Sequence, residues 1–119
     1  MQGQKDITST IVSAIQEKKG KGITVLDLSG IEWAGVRDFV ICEGKSTAQV
    51  AAIADSVRQY VHEHAGRKPY NYDGYRNSQW IVIDYGDTMV HIFLPDVRAR
   101  YNLEELWSDA GRTDVPDLD

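Results

Sequence analysis

The chain has 119 residues, 42% hydrophobic and 26% charged, with a formal net charge of −5 at pH 7. That length fits a single domain with an α/β or α+β core, which buries about two thirds of its unfolded surface and folds without metal or disulfide. One cysteine, Cys42, excludes an internal disulfide and a cysteine-rich zinc site; no apolar run reaches secretory-signal or membrane-span length, so the expectation is cytoplasmic and membrane-free.

Ile7, Ile11, Ala14 and Ile15 recur at helical spacing, and the segment closes on "EKKGKG", bases and glycines that suit a helix C-terminus. Its apolar stripe is modest, which predicts a surface helix. "ITVLDLSG" reads as a strand, "IEWAG" as a loop and "DFVICEG" as a second strand holding Cys42 as a packing thiol. The link between these strands is too short for a helical crossover, so they should be antiparallel. The clearest helix follows, with Ser46 as N-cap and Gln49 at the capping-box position. Val50, Ile53, Ala54, Val57 and Val61 form its buried stripe, and Gly66 ends it.

"RKPYNYDGYRNSQ" is a turn-rich connector with room for a short edge strand after Pro69, and it leads into the hairpin "WIVIDYGDTMVHIF". Beyond Pro95 come a short helical piece, "DVRARY", and then "LEELW", capped by Asn102 with Glu105 at the box position. Residues 104–119 carry six acids against the single base Arg112, whereas 1–103 balance twelve acids with twelve bases. The expected organisation is one domain over 1–107 and an acidic, disordered tail over 108–119. A neutral body with an acidic tail argues against a nucleic-acid backbone as the main source of affinity. The element order predicts a mixed sheet of four or five strands with helices packed on it.

The hairpin contains an aspartate and a histidine where a plain apolar hairpin would carry neither. A two-residue turn at Gly86-Asp87 fixes the register, because glycine suits the first position of a type II′ turn. Opposed residues share a face, so Ile81, Ile83, Tyr85, Thr88, Val90 and Ile92 lie on one side. Trp80, Val82, Asp84, Met89, His91 and Phe93 lie on the other. The first set belongs beneath the long helix. The second has the aromatic, Met-bearing composition of a protein interface, with Trp80 as its anchor. A second reading covers Trp80 and Phe93 with Tyr101, Leu106 and Trp107, leaving Asp84 and His91 as a satisfied polar pair. A third is enzymatic: a small nucleotidyltransferase-like protein using Asp27 and Asp84, although no nucleophile stands beside them. Two other motifs fail on spacing. "EGKST" lacks the P-loop glycine, which would fall at Phe39, and His62 and His64, two apart on a helix, face different ways.

"WIVIDYGD" and "VHIF", followed by R-x-x-Y-x-L-E-x-L-W (Arg98, Tyr101, Leu103, Glu104, Leu106, Trp107), resemble the ribosomal silencing factor RsfS, or Iojap, family. The likeness extends to "ITVLDLSG", "FVICEGKSTAQVAAIADSV" and "GYRNSQW", nearly the whole chain. It implies a mixed α/β fold akin to nucleotidyltransferases without their catalytic residues, and neither metal nor cofactor. It further implies binding to the large ribosomal subunit through large-subunit ribosomal protein fourteen. That would block small-subunit joining and lower translation when nutrients are short. Members are often homodimers away from the ribosome. Carried over by position, the partner-binding residues are Trp80, Asp84, Tyr85, Asp87, Met89 and His91. Where the family commonly has Asp-Tyr before Phe-Val-Ile, this chain has Arg37-Asp38, so that loop's contacts should differ here.

Overall fold

A computed structural model describes residues 7–118; the first six residues of the expected domain and Asp119 of the expected tail lie outside the described residues. The first helix, α1 (Thr8–Glu17), buries Ile11, Ala14 and Ile15 completely, with Ile7 buried at its N-cap. It is therefore more deeply embedded than its modest stripe predicts. The reason is a second helix laid against it, α2 (Thr47–Ala65), whose Ser56 Oγ donates to the Ala14 carbonyl at 2.9 Å. At the start of α2, Ser46 Oγ accepts from Gln49 N at 3.1 Å. The Gln49 side chain accepts from Lys45 N at 2.8 Å and donates to the Lys18 carbonyl at 3.0 Å. The Gly-Lys-Ser segment is thus a strand exit and helix cap, and Gly66, at φ 66°, closes the helix in the left-handed region.

The sheet contains β1 (Lys21–Asp27), β2 (Asp38–Glu43), β3 (Asn71–Asp73), β4 (Trp80–Asp84), β5 (Thr88–Phe93) and β6 (Gly111–Asp114). Their spatial order is β3-β4-β5-β2-β1-β6, with β2–β5 the parallel pair and β1–β2 antiparallel as the short link requires. β3 is the expected edge strand. β6 corrects the expectation of a wholly disordered tail and raises the strand count to six. Its side chains are all exposed, which is why composition pointed to disorder. What orders it is the open edge of β1. Thr24 Oγ1 donates to Asp114 Oδ1 at 2.8 Å, Gly22 N to Asp117 Oδ1 at 2.9 Å, and Val115 N to the Ile23 carbonyl at 2.9 Å.

The hairpin register is the expected one, from Trp80 opposite Phe93 to Asp84 opposite Met89. The turn closes where Tyr85 N donates to the Thr88 carbonyl at 2.9 Å, with Gly86 at φ 90°. One face of the sheet, bearing Ile23, Val40, Cys42, Ile81, Ile83, Val90 and Ile92, forms the main core beneath α1 and α2. The opposite face forms a second, smaller core of Leu26, Leu28, Phe39, Ile41, Phe93 and Val97. It is closed in part by a 3₁₀ turn (Glu32–Ala34) and by α3 (Pro95–Tyr101) and α4 (Leu103–Leu106).

Because β6 contributes mainly hydrogen bonds, with Val115 just beyond it packed against the main core, its share of stability should be measurable. Deleting residues 111–119 should lower unfolding free energy by about 2–4 kcal/mol, at about 1 kcal/mol per lost hydrogen bond. The check is the urea midpoint, and an unchanged midpoint would mean that β6 is not part of the folded sheet.

Candidate docking face

Burial along β4 alternates strictly. Ile81 and Ile83 are sealed, whereas Trp80, Val82 and Asp84 remain partly exposed on the second face. On β5, Met89 stays partly exposed while His91 and Phe93 are sealed. The second face is therefore neither fully open nor fully covered. Its β2 and β5 part is a true core, and its β4 margin reaches solvent.

Across this face the rings form a continuous series. Trp33 stacks on Trp107 at 4.9 Å between centroids, Trp107 meets Phe39 edge-on at 5.8 Å, and Phe39 meets His91 at 4.5 Å. His91 lies 6.0 Å from Trp80, which stacks on Phe93 at 4.9 Å and touches Tyr101 at 4.7 Å. Phe39 and Phe93 are buried in the middle of the series, but Trp33 is 76% exposed and Tyr101 51%. Leu106, beside Trp107 in sequence, is 70% exposed.

The six residues carried over by resemblance divide into distinct environments. Trp80, Asp84 and Met89 sit together on the partly exposed margin. Asp84 does not pair with His91; its Oδ1 accepts from Gly86 N at 2.7 Å and so braces the turn. Asp87 lies at the turn, where Arg67 Nη2 binds its carboxylate at 3.1 Å. Its carbonyl accepts from Arg37 N at 2.8 Å, which is where the Arg37-Asp38 variation meets the hairpin. Tyr85 is a correction. Odd-even alternation turns it to the helix side, where it is 1% exposed and burial pushes its hydroxyl pKa up to about 12. His91 is 5% exposed, and burial pushes its imidazole down to about 4. Its Nδ1 accepts from Trp80 Nε1 at 3.2 Å. An indole N–H can only donate, so the neutral ring carries its proton on Nε2. His91 thus holds Trp80 in place from beneath the surface.

Arg98, from the Arg-x-x-Tyr motif, positions the other side of the face. Its Nη1 donates to the Gly22 carbonyl at 2.6 Å and Glu43 at 3.1 Å, and its Nη2 to Glu104 at 2.7 Å and Thr24 Oγ1 at 3.1 Å. This side chain, 13% exposed, ties α3 and α4 to β1 and β2 and so places Tyr101 and Trp107. Trp33 is the residue that sequence reasoning passed over. The available signal was a tryptophan in a loop, ahead of Gly35 at φ 81°. The enzymatic reading loses its geometry here. Asp27 lies level with Asp38 and Thr88, on the helix-side parity, while Asp84 shares the parity of Met89, Phe39 and Leu26. The two carboxylates occupy opposite faces, three strands apart, or about 14 Å at strand spacing.

A family model described as "Ribosomal silencing factor during starvation" matches residues 2–119. The ribosomal silencing factor RsfS of Bacillus subtilis is 38% identical over 113 residues, spanning 94% of this chain and 93% of that protein. A mouse protein named mitochondrial assembly of ribosomal large subunit protein 1 is 30% identical over 108 residues, covering 89% of this chain and 47% of its own. A crystal structure of a Chromobacterium violaceum protein superposes with TM-score 0.81 at 34% identity, covering 86% of this chain and 83% of that one.

The buried imidazole predicts an acid-sensitive fold. As pH falls below about 6.5 the unfolded ring gains a proton, while the folded ring stays neutral to about 4. Unfolding therefore takes up a proton in that window, and stability drops by about 1.4 kcal/mol per pH unit, or about 2 kcal/mol on going from pH 7.5 to 5. His91→Gln keeps an acceptor for Trp80 and removes the titration, so its stability should fall less over the same range. Parallel curves for the two proteins, measured by urea unfolding, would contradict this.

Proposed function

The chain belongs to the ribosomal silencing factor family, and from that premise we propose that it represses translation by docking on the large ribosomal subunit through large-subunit ribosomal protein fourteen. Occupying that site sterically prevents the small subunit from joining when nutrients are short. The mouse relative's name ties that protein to large-subunit assembly, in agreement with this choice of subunit. A factor acting there works where ribosomes are, in the cytoplasm.

The observation that carries the reading is the ring series with its two open ends. An indole that is 76% exposed yet stacked on a second indole offers a pre-ordered apolar anchor to a partner. Because Trp107 already holds one face of Trp33, little side-chain freedom is lost on binding. Acids flank the anchors: Glu32 precedes Trp33, Asp84 stands beside Met89, and Glu105 is exposed near Trp107. Ribosomal proteins are generally basic, and such a rim speeds encounter with a basic partner more than it adds affinity.

Two substitutions separate docking from folding. Trp33→Ala removes an exposed ring and should leave the unfolding midpoint nearly unchanged while weakening large-subunit binding about thirtyfold or more, as a hot-spot residue does. Trp80→Ala should also weaken binding, with some loss of stability from its contacts to Phe93 and Tyr101. The measurement is co-sedimentation with purified large subunits through a density gradient, read beside the fraction of joined ribosomes. Full co-sedimentation of Trp33→Ala would remove the aromatic face from the reading. A variant that turns monomeric while still bound to the subunit would mark the face as the chain's own dimer contact.

A further inference from the structure

A second surface lies on the other side of the sheet, at its β3 edge. The C-terminal half of α2 and the segment from Arg67 to Tyr72 enclose an open groove of about 570 Å³. Arg58, Gln59, His62, Arg67, Lys68 and Tyr72 line it. One acid, Asp55, also lines the groove, and its Oδ1 already accepts from the Tyr75 hydroxyl at 2.8 Å. On a chain of net charge −5, Arg58, Arg67 and Lys68 against Asp55 and the Arg67-bound Asp87 leave this groove locally positive.

The groove is also aromatic. Tyr72 pairs with Ile83, so its ring stands on the helix side, where the Arg58 guanidinium lies 3.9 Å from the ring centroid. Tyr72 is nevertheless 45% exposed, and Tyr70, two residues earlier, is 81% exposed. Arg67 is held in place by the Tyr85 carbonyl at 2.6 Å and by Asp87. Arg58 makes one long hydrogen bond, 3.4 Å to Tyr75, and its Nε finds no acceptor among the described residues. Cations beside a half-exposed aromatic ring are what a nucleotide strand requires: stacking for a base and charge for the phosphates. An acidic peptide would use the cations but leave the Tyr72 ring idle.

We propose that this α2–β3 groove binds single-stranded or looped RNA, as a weak contact auxiliary to the protein-docking face. The sheet separates the two surfaces, so both can be occupied at once. The proposal rests on the ribosomal reading only for the source of the RNA, and its test uses no ribosome.

The full chain is titrated against fluorescein-labelled decauridylate (U10) by fluorescence anisotropy. The expected Kd is on the order of 10–100 µM at about 50 mM salt, with a slope of log K against log salt near −1.5 to −2 for about two or three phosphates. Lys68→Glu, on an exposed side chain that leaves the fold alone, should weaken binding about tenfold, and Arg58→Ala with Lys68→Ala at least as much. Tyr72→Leu should cost about fivefold or more through lost stacking. Trp33→Ala should bind U10 normally even if it has lost the large subunit, which keeps failure of this proposal distinct from failure of the docking face. The proposal is overturned if U10 does not bind at low salt or if Lys68→Glu binds like the parent. It is equally overturned if uridine monophosphate or a glutamate decapeptide competes as well as unlabelled U10.

Discussion

Everything on both faces of this sheet depends on the parity set at Gly86-Asp87. A strand alternates its side chains with period two, so a slip of one residue would exchange the aliphatic set of β4 and β5 for the aromatic one. Gly86 secures the turn twice over. Its φ of 90° suits glycine, and a Cβ there would stand 2.5 Å from the Tyr70 ring. The parallel pairing of β2 with β5 then carries the parity across the sheet, setting Phe39 beside Met89 and Ile41 beside His91. The second core and the candidate docking face are both consequences of that one register.

Parity alone would leave the second face open. Arg98 closes it in part, by satisfying four acceptors on β1, β2 and α4 with one guanidinium. Glu104 is only 11% exposed, so the pair is largely desolvated and Glu104 without Arg98 would be an uncompensated charge. The arginine and glutamate of the family motif are thus explained as architecture. They hold two short helices that would not persist in isolation and so place Tyr101 and Trp107 at the edge of the aromatic series. His91 does the corresponding work inside, fixing the Trp80 indole through a single nitrogen.

Much of this was legible in the chain. The Ser46–Gln49 cap, the α2 stripe, the antiparallel β1–β2 pair and the hairpin register all follow from local chemistry, and each appears as expected. The aromatic face is divided: Phe93 and His91 are core, while Trp80, Asp84 and Met89 remain at a solvent margin. The Asp84–His91 pair of the second reading does not form, because Asp84 binds its own turn and His91 binds Trp80. Tyr85 followed the parity rule, against its place among the residues carried over by resemblance. β6 escaped notice because its order comes from a partner strand some ninety residues away, which no local propensity reports.

By itself the sequence determined the elements other than β6, the turn, the two-sided hairpin and the likeness to a family, since each depends on residues close together in the chain or on a pattern of them. Only the tertiary structure decided which parts of the second face are sealed, that Trp33 stacks on Trp107, and that Asp27 and Asp84 lie on opposite sides of the sheet. It also gathered Arg58, Lys68 and Tyr72 into one groove. The reason is physical. Burial and proximity are set by which distant segments pack together, and periodicity along a single segment carries no record of its neighbours.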